Sequence, residues 1–123
     1  MKVIFYERED GERPVLTFLL SLDLKMRVKI IGAIRLLEER GHLIHEPNSK
    51  KLDDHIFELR VKQGSDIVRV LYFYAKGNEA CLTNGFVKKQ DKTPYREIEK
   101  ANRYRDDWYR RRKDEFYEKD RSE

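Results

Sequence analysis

Residues 55–87, HIFELRVKQGSDIVRVLYFYAKGNEACLTNGFV, decide the fold. In His55 to Lys62, Phe57, Leu59 and Val61 alternate with Glu58, Arg60 and Lys62, the period-two pattern of a strand with its two faces in different surroundings. Gly64-Ser65 supplies a two-residue turn, and Ile67 to Tyr74 is a β-branched and aromatic run suited to a buried strand. Lys76-Gly77-Asn78 makes the next turn, and Ala80 to Val87 completes an antiparallel meander of three strands.

Working outward, residues 2–7 read as a short strand ended by Asp10-Gly11. Pro14 suits the first position of a helix, where its missing N–H is not needed, and Val15, Phe18, Leu19 and Leu22 form one apolar face. Ser21 or Asp23 caps a second helix, which carries Ile30, Ala33, Ile34 and Leu37 at helical spacing and stops at Gly41. His42 to Asp54 has no period, contains Pro47 and Asn48, and reads as a loop. Downstream, Thr93-Pro94 caps a long helix with Ile98, Ala101 and Trp108 near one face. The charged tail after about residue 113 is expected to fray. The order β-α-α-β-β-β-α describes an α+β domain over residues 1–123, an antiparallel sheet with helices packed on one face.

A chain of 123 residues supports one core, and 41% charged residues alongside 39% hydrophobic and 11% aromatic ones describe a folded domain with a heavily charged surface. A net charge of +4 does not by itself name a partner, so the placement of the cations has to. The lone Cys81 excludes a disulfide framework and fits a reducing compartment. No apolar run approaches a membrane span, and the start MKVIFYERED lacks a signal-peptide core, so a cytoplasmic location is expected.

A two-residue turn at Gly64-Ser65 sets Arg60 opposite Arg69 on the same face. Like charges so placed repel, and either Glu58, two residues away on that face, or a bound anion must offset them. Lys88 and Lys89 end the last strand, Lys92 follows just before the helix at Thr93-Pro94, and Lys50 and Lys51 precede the meander. Together with the arginines these cations form a candidate phosphate site, whereas lysines at a strand end alone can be mere protection of an edge. Phe86, Tyr72 and Tyr74 offer rings for base stacking, although such residues more often fill a core. His42, His45 and His55 lack the carboxylates and cysteines of a metal site, and one of them remains open as a proton-transfer residue. Nucleotide-binding glycine loops, nucleophile elbows and HExxH motifs are absent. The chemistry left to cationic side chains includes phosphodiester cleavage by an RNA's own 2′-hydroxyl, which needs in-line placement and charge stabilisation. The basic block Trp108-Tyr109-Arg110-Arg111-Arg112-Lys113 is interleaved with acids and reads as a salt-bridged helix face before it reads as an RNA contact.

The blocks Lys50-Lys51-Leu52, Ile56-Phe57-Glu58-Leu59-Arg60, Arg69-Val70-Leu71-Tyr72-Phe73, Gly85-Phe86-Val87-Lys88-Lys89 and Lys92-Thr93-Pro94, followed by Glu97-Ile98 and Ala101, form a pattern. In this order and spacing the chain resembles the HigB-type, phage-derived branch of the RelE/ParE toxin superfamily. The resemblance implies a small RelE-like fold and the toxin half of a type II toxin–antitoxin pair. Its activity would be ribosome-dependent endoribonuclease cleavage of mRNA, which inhibits translation and growth. Its partners would be a cognate antitoxin, usually a small helix-turn-helix protein, together with the ribosome and mRNA. It implies no metal, cofactor, small-molecule ligand or membrane. Carried over by position, Arg60, Arg69 and Lys88 are the catalytic candidates, with Lys50, Lys51, Phe86, Lys89 and Lys92 on the RNA. The general base is not assigned by the match. Two other readings stay open at this point: a ParE-like gyrase-inhibiting toxin, which shares the fold, and a non-catalytic module that binds nucleic acid or protein.

Overall fold

The structure is a computed structural model that describes residues 1–89 and 91–121, the side chains of 114–121 excepted. The chain runs β1 (Lys2–Phe5), α1 (Pro14–Leu20), α2 (Leu24–Arg40), a single 3-10 turn at Gly41–Leu43, β2 (Ser49–Lys51), β3 (Phe57–Gln63), β4 (Asp66–Ala75), β5 (Glu79–Lys88) and α3 (Tyr95–Arg121). The frayed tail expected after about residue 113 concerns side chains and terminal residues outside those described. Among the described residues no helix is long and apolar enough to cross a membrane.

The five strands form one sheet in the order β1-β5-β4-β3-β2, and only the β1–β5 pair is parallel. This is the α+β class expected and is compatible with a small RelE-like fold. The central turn is as the sequence predicts. Gln63 pairs with Asp66 across Gly64-Ser65, and Gly64 takes φ +62°, the conformation that the first position of a tight hairpin requires. Pro14 opens α1, and the Asp23 carboxylate caps α2 by accepting from the Met26 N–H at 2.8 Å.

Three features differ from the sequence reading. β1 lies parallel beside β5, a pairing between distant segments that no local pattern announces. β2 forms inside the segment read as a loop; its three residues are too few to show a period and are defined by pairing Lys50 with Glu58. The helices cover both faces of the sheet, not one. Val68, Val70 and Tyr72 of β4 pack with α1 and α2, whereas Leu71 and Phe73 pack with Ala101, Tyr104 and Trp108 of α3. The apolar run of β4 after Arg69 reflects burial on both sides.

A bulge in β5 decides where α3 starts. Leu71 pairs with Asn84 but Tyr72 pairs with Leu82, so Thr83 is the extra residue and the faces of β5 exchange there. Asn84 thereby reaches the α3 side, where its amide donates to the Glu97 carbonyl at 3.3 Å and carboxylate at 3.2 Å. This anchors the first turn of α3 over the middle of the sheet. On the opposite side Gly85 makes room for α1: a Cβ there would run into the Phe18 ring.

Candidate functional site

Because α3 begins at Tyr95 and runs toward Phe73, the far half of its face of the sheet is left to polar side chains. The register sets Arg60 of β3 against Arg69 of β4 there, with Glu58 on the same face. The buried Glu58 carboxylate answers the repulsion. Its Oε1 accepts from Arg69 Nη1 at 2.5 Å and lies 3.5 Å from Arg60 Nε; its Oε2 accepts from the Thr93 hydroxyl at 2.5 Å. Thr93 therefore does not cap α3, which follows Pro94, but ties the segment leading into the helix to the sheet.

Arg60 also leans on Glu46 at 3.6 Å and stays partly exposed. Arg69 is only 3% exposed, and its Nε is a buried donor with no hydrogen-bond partner among the described residues. Burial pulls its guanidinium below the ordinary arginine value, Arg60 pulls the same way, and Glu58 opposes both. Arginine starts so high that the group stays charged at neutral pH. Lys88 lies two residues along β5 from Phe86, the residue paired with Arg69. Its ammonium is held below the ordinary lysine value by burial first and then by Arg69 and Arg60, with Glu58 and Asp91 opposing. The two arginines and Lys88 thus share one electrostatic site.

Beside them Lys50, Arg60, Asp91, Lys92 and Thr93 line a hollow of about 260 Å3. Around the site Lys50, Arg60, Arg69, Lys88 and Lys92 outnumber Glu46, Glu58 and Asp91, so it retains a positive surplus despite its ion pairs. A rigid guanidinium among mobile ammoniums can hold a phosphodiester and accept the charge that builds on its oxygens.

The other residues singled out in the sequence lie elsewhere. Lys51 lines the rim of the hollow, but register sets it against Phe57 and its ammonium sits 5.9 Å from that ring. Phe86 and Lys89 line a second hollow of about 600 Å3 with Tyr95 and Arg96, and register sets Phe86 directly across from Arg69. Tyr72 and Tyr74 face the α1–α2 core, with their hydroxyls on Ser49 and on the Gly41 carbonyl, and belong to that core. His42 packs against Tyr74, His45 bonds the Glu46 carbonyl, and His55 is exposed. The C-terminal basic block is tied down: Arg110 and Arg111 pair with Asp107, and Arg112 lies over Trp108 and 3.5 Å from Glu79.

Three members of the site escaped the sequence reading. Glu46 comes from an aperiodic segment, Thr93 has the signature of a helix cap, and Asp91 is a single acid between Lys89 and Lys92. Glu58 alone was signalled, by its place two residues from Arg60.

With this geometry in place, comparison with known proteins is informative. The profile of the family described as "Phage derived protein Gp49-like (DUF891)" matches residues 17–106, which include every strand from β2 to β5 and the start of α3. No curated protein matches the chain. The chain belongs to the Gp49-like family, which is RelE-toxin-like.

Proposed function

We propose that this member of the Gp49-like family is the toxin of a type II toxin–antitoxin system, of the HigB type, and that it cleaves mRNA on the ribosome. The observation that carries the reading is the buried Arg69, fixed on Glu58 through one nitrogen, with Arg60 and Lys88 in the same field. A protein that only blocks another protein needs no such concentration of fixed cations on an open half-sheet.

In this mechanism the exposed part of Arg60 grips a non-bridging oxygen of the scissile phosphate, the buried Arg69 adds its charge from beneath, and Lys88 neutralises charge as the phosphorane forms. The 2′-oxygen attacks phosphorus and gives up its proton to a base, and the P–O5′ bond breaks as the 5′-oxygen takes a proton. The products are a 2′,3′-cyclic phosphate and a 5′-hydroxyl. Lys50 and Lys92 hold neighbouring phosphates, with Lys51 at the rim. Phe86, paired with Arg69 across the strands, and Lys89, in the larger hollow next to it, are placed to meet a flanking nucleotide.

Induced expression in a bacterium with mapping of transcript ends tests this. New ends confined to translated messages, and lost when translation is blocked beforehand, are the expected result. Growth arrest with DNA damage and intact messages would overturn it in favour of a gyrase inhibitor, and no growth effect at all would favour a non-catalytic module.

A further inference from the structure

The helical hairpin of α1 and α2 buries one side in the core and leaves the other with an apolar stripe that the fold does not use. Leu16 and Leu20 on α1 are 38% and 63% exposed; Leu24, Val28 and Ile31 on α2 are 68%, 58% and 40% exposed. Their spacings, i and i+4 on α1 and i, i+4, i+7 on α2, put each set on one side of its helix. The Arg27 guanidinium donates to the carbonyls of Leu19, Leu20 and Leu22, fastening the two helices where the sets meet. Solvated stripes of this size are uncommon on a chain whose surface is otherwise so charged.

Two further observations say what covers it. The first is charge. Exposed Lys25 and Arg35 border the stripe, Lys29 stands beyond them with its ammonium on the Lys62 carbonyl, and the sequence holds no acid between Asp23 and Glu38. A second copy of this chain would set like charges against each other, whereas an acidic surface would match them. The second is Gly32. It lies in the interior of α2, four residues after Val28 on the same side, where glycine is less favourable than alanine. A Cβ there would meet nothing within 4 Å, so the fold of this chain has no need of the missing side chain. A notch without an internal purpose, on an exposed apolar stripe, lets another backbone approach α2 closely; a lipid surface would gain nothing from it.

We propose that this stripe seats an amphipathic, acidic helix of the antitoxin, crossing α2 at Gly32, with Leu or Ile side chains between Leu20, Leu24 and Val28 and carboxylates opposite Lys25 and Arg35. The identity of the partner rests on the toxin–antitoxin reading above; the surface and its chemistry rest on the exposures, the charges and Gly32. The site is remote in sequence from the arginine pair, so neutralisation and catalysis are separable by mutation.

The test uses the full chain and the small protein encoded by the adjoining gene. Gly32→Ala is expected to raise Tm of the free chain by about 4 °C, because an exposed helical glycine is replaced. The same change is expected to weaken binding of the adjoining protein at least tenfold. Val28→Glu is expected to weaken it at least 100-fold with growth arrest retained, giving a toxin that can no longer be neutralised. Hydrogen exchange of the complex should protect residues 16–35. Tight binding with protection elsewhere, or binding indifferent to both substitutions, overturns this surface and leaves the toxin reading standing. Failure of the wild-type chain to arrest growth or to bind the adjoining product overturns that reading and the occupant with it. Binding of phosphatidylserine vesicles, or a dimer in sedimentation, lost on Val28→Glu while the adjoining protein still binds, assigns the stripe to a membrane or a second copy and overturns the proposal.

Discussion

Glu58 and Asp107 gather nearly the same donors in two parts of the molecule. Glu58 holds Arg69, Arg60 and the Thr93 hydroxyl; Asp107 holds Arg111, Arg110 and the Tyr6 hydroxyl. Burial separates them. The Glu58 and Arg69 side chains are 2% and 3% exposed, against 19% for Asp107, 31% for Arg111 and 66% for Arg110. At Asp107 water can serve both arginines, while the Tyr6 ring is buried, so the cluster acts as a tether between α3 and the end of β1, helped by the stacking of Tyr6 on Tyr104 and by Arg111 on the Glu7 carbonyl. At Glu58 no water replaces a lost partner, so the arginine is fixed in place, and the surrounding lysines leave a net positive site. The same chemical set makes a strap where it is wet and a pre-aimed charge where it is dry.

The largest contrast is in stability. Glu58→Ala leaves the Arg69 charge buried without its partner and is expected to cost about 3–5 kcal/mol. Asp107→Ala frees solvated arginines and one buried phenol, at a cost of about 1–2 kcal/mol. Urea denaturation of the two variants measures the difference, and equal losses would break the comparison. The double variant Glu58→Leu, Arg69→Met sharpens it: removing both charges together is expected to return stability to within about 1–2 kcal/mol of the parent while cleavage is abolished.

The next contrast is in activity. Arg60 is the better probe, because Arg69→Ala strands Glu58 and confounds folding with chemistry. Arg60→Ala is expected to reduce RNA cleavage about 100-fold, the scale for losing one donor to a developing charge, with stability changed by no more than about 1 kcal/mol. Arg110→Ala is expected to leave cleavage within about twofold, since its partner is the tether. Cleavage assays on translated message with purified variants decide, and an equal effect of the two would remove the functional distinction between the clusters.

The sequence carried the Glu58 cluster better than the Asp107 cluster, for a physical reason. Glu58, Arg60 and Arg69 lie on adjacent strands joined by a two-residue turn, and the turn fixes the register, so their meeting follows from counting. Tyr6 and Asp107 are 101 residues apart, and their contact depends on β1 lying parallel beside β5 and on the angle at which α3 crosses the sheet. Neither leaves a periodic trace. The same distinction explains β2, which only its pairing with β3 defines, and Glu46, which reaches Arg60 from an aperiodic segment. The second covered face is not legible either, because the apolar run of β4 after Arg69 does not alternate and so does not say which element packs on either side. The bulge at Thr83, which sends Asn84 to hold α3, has no signature in the residues around it.

The smallest effect is the response to alkali, and its sign differs between the two regions. Burial, followed by the hydrogen bond and charge of Asp107, pushes the Tyr6 phenol up to about 12 from its ordinary 10.0, with Arg111 opposing. The folded chain therefore keeps that proton after the unfolded chain has lost it. The stability Tyr6 contributes is complete below pH 10 and is lost as pH rises through about 12. Lys88 behaves oppositely. Its ammonium is held below 10.5 by burial and the two arginines, so the fold disfavours its charge, and stability is regained as that charge is lost on approach to pH 10.5. The cleavage that depends on the ammonium should decline over the same interval. Tyr72, Tyr74 and Cys81 are also raised by burial, so the informative quantity is the difference between variant and parent. Tyr6→Phe should flatten the loss of Tm between pH 10 and 12 without moving the alkaline limb of cleavage. Lys88→Arg should extend cleavage to higher pH without altering the Tyr6 contribution. A Tyr6→Phe chain whose cleavage profile shifts would mean that the tether at Asp107 and the charge at Glu58 are one system, communicating along α3.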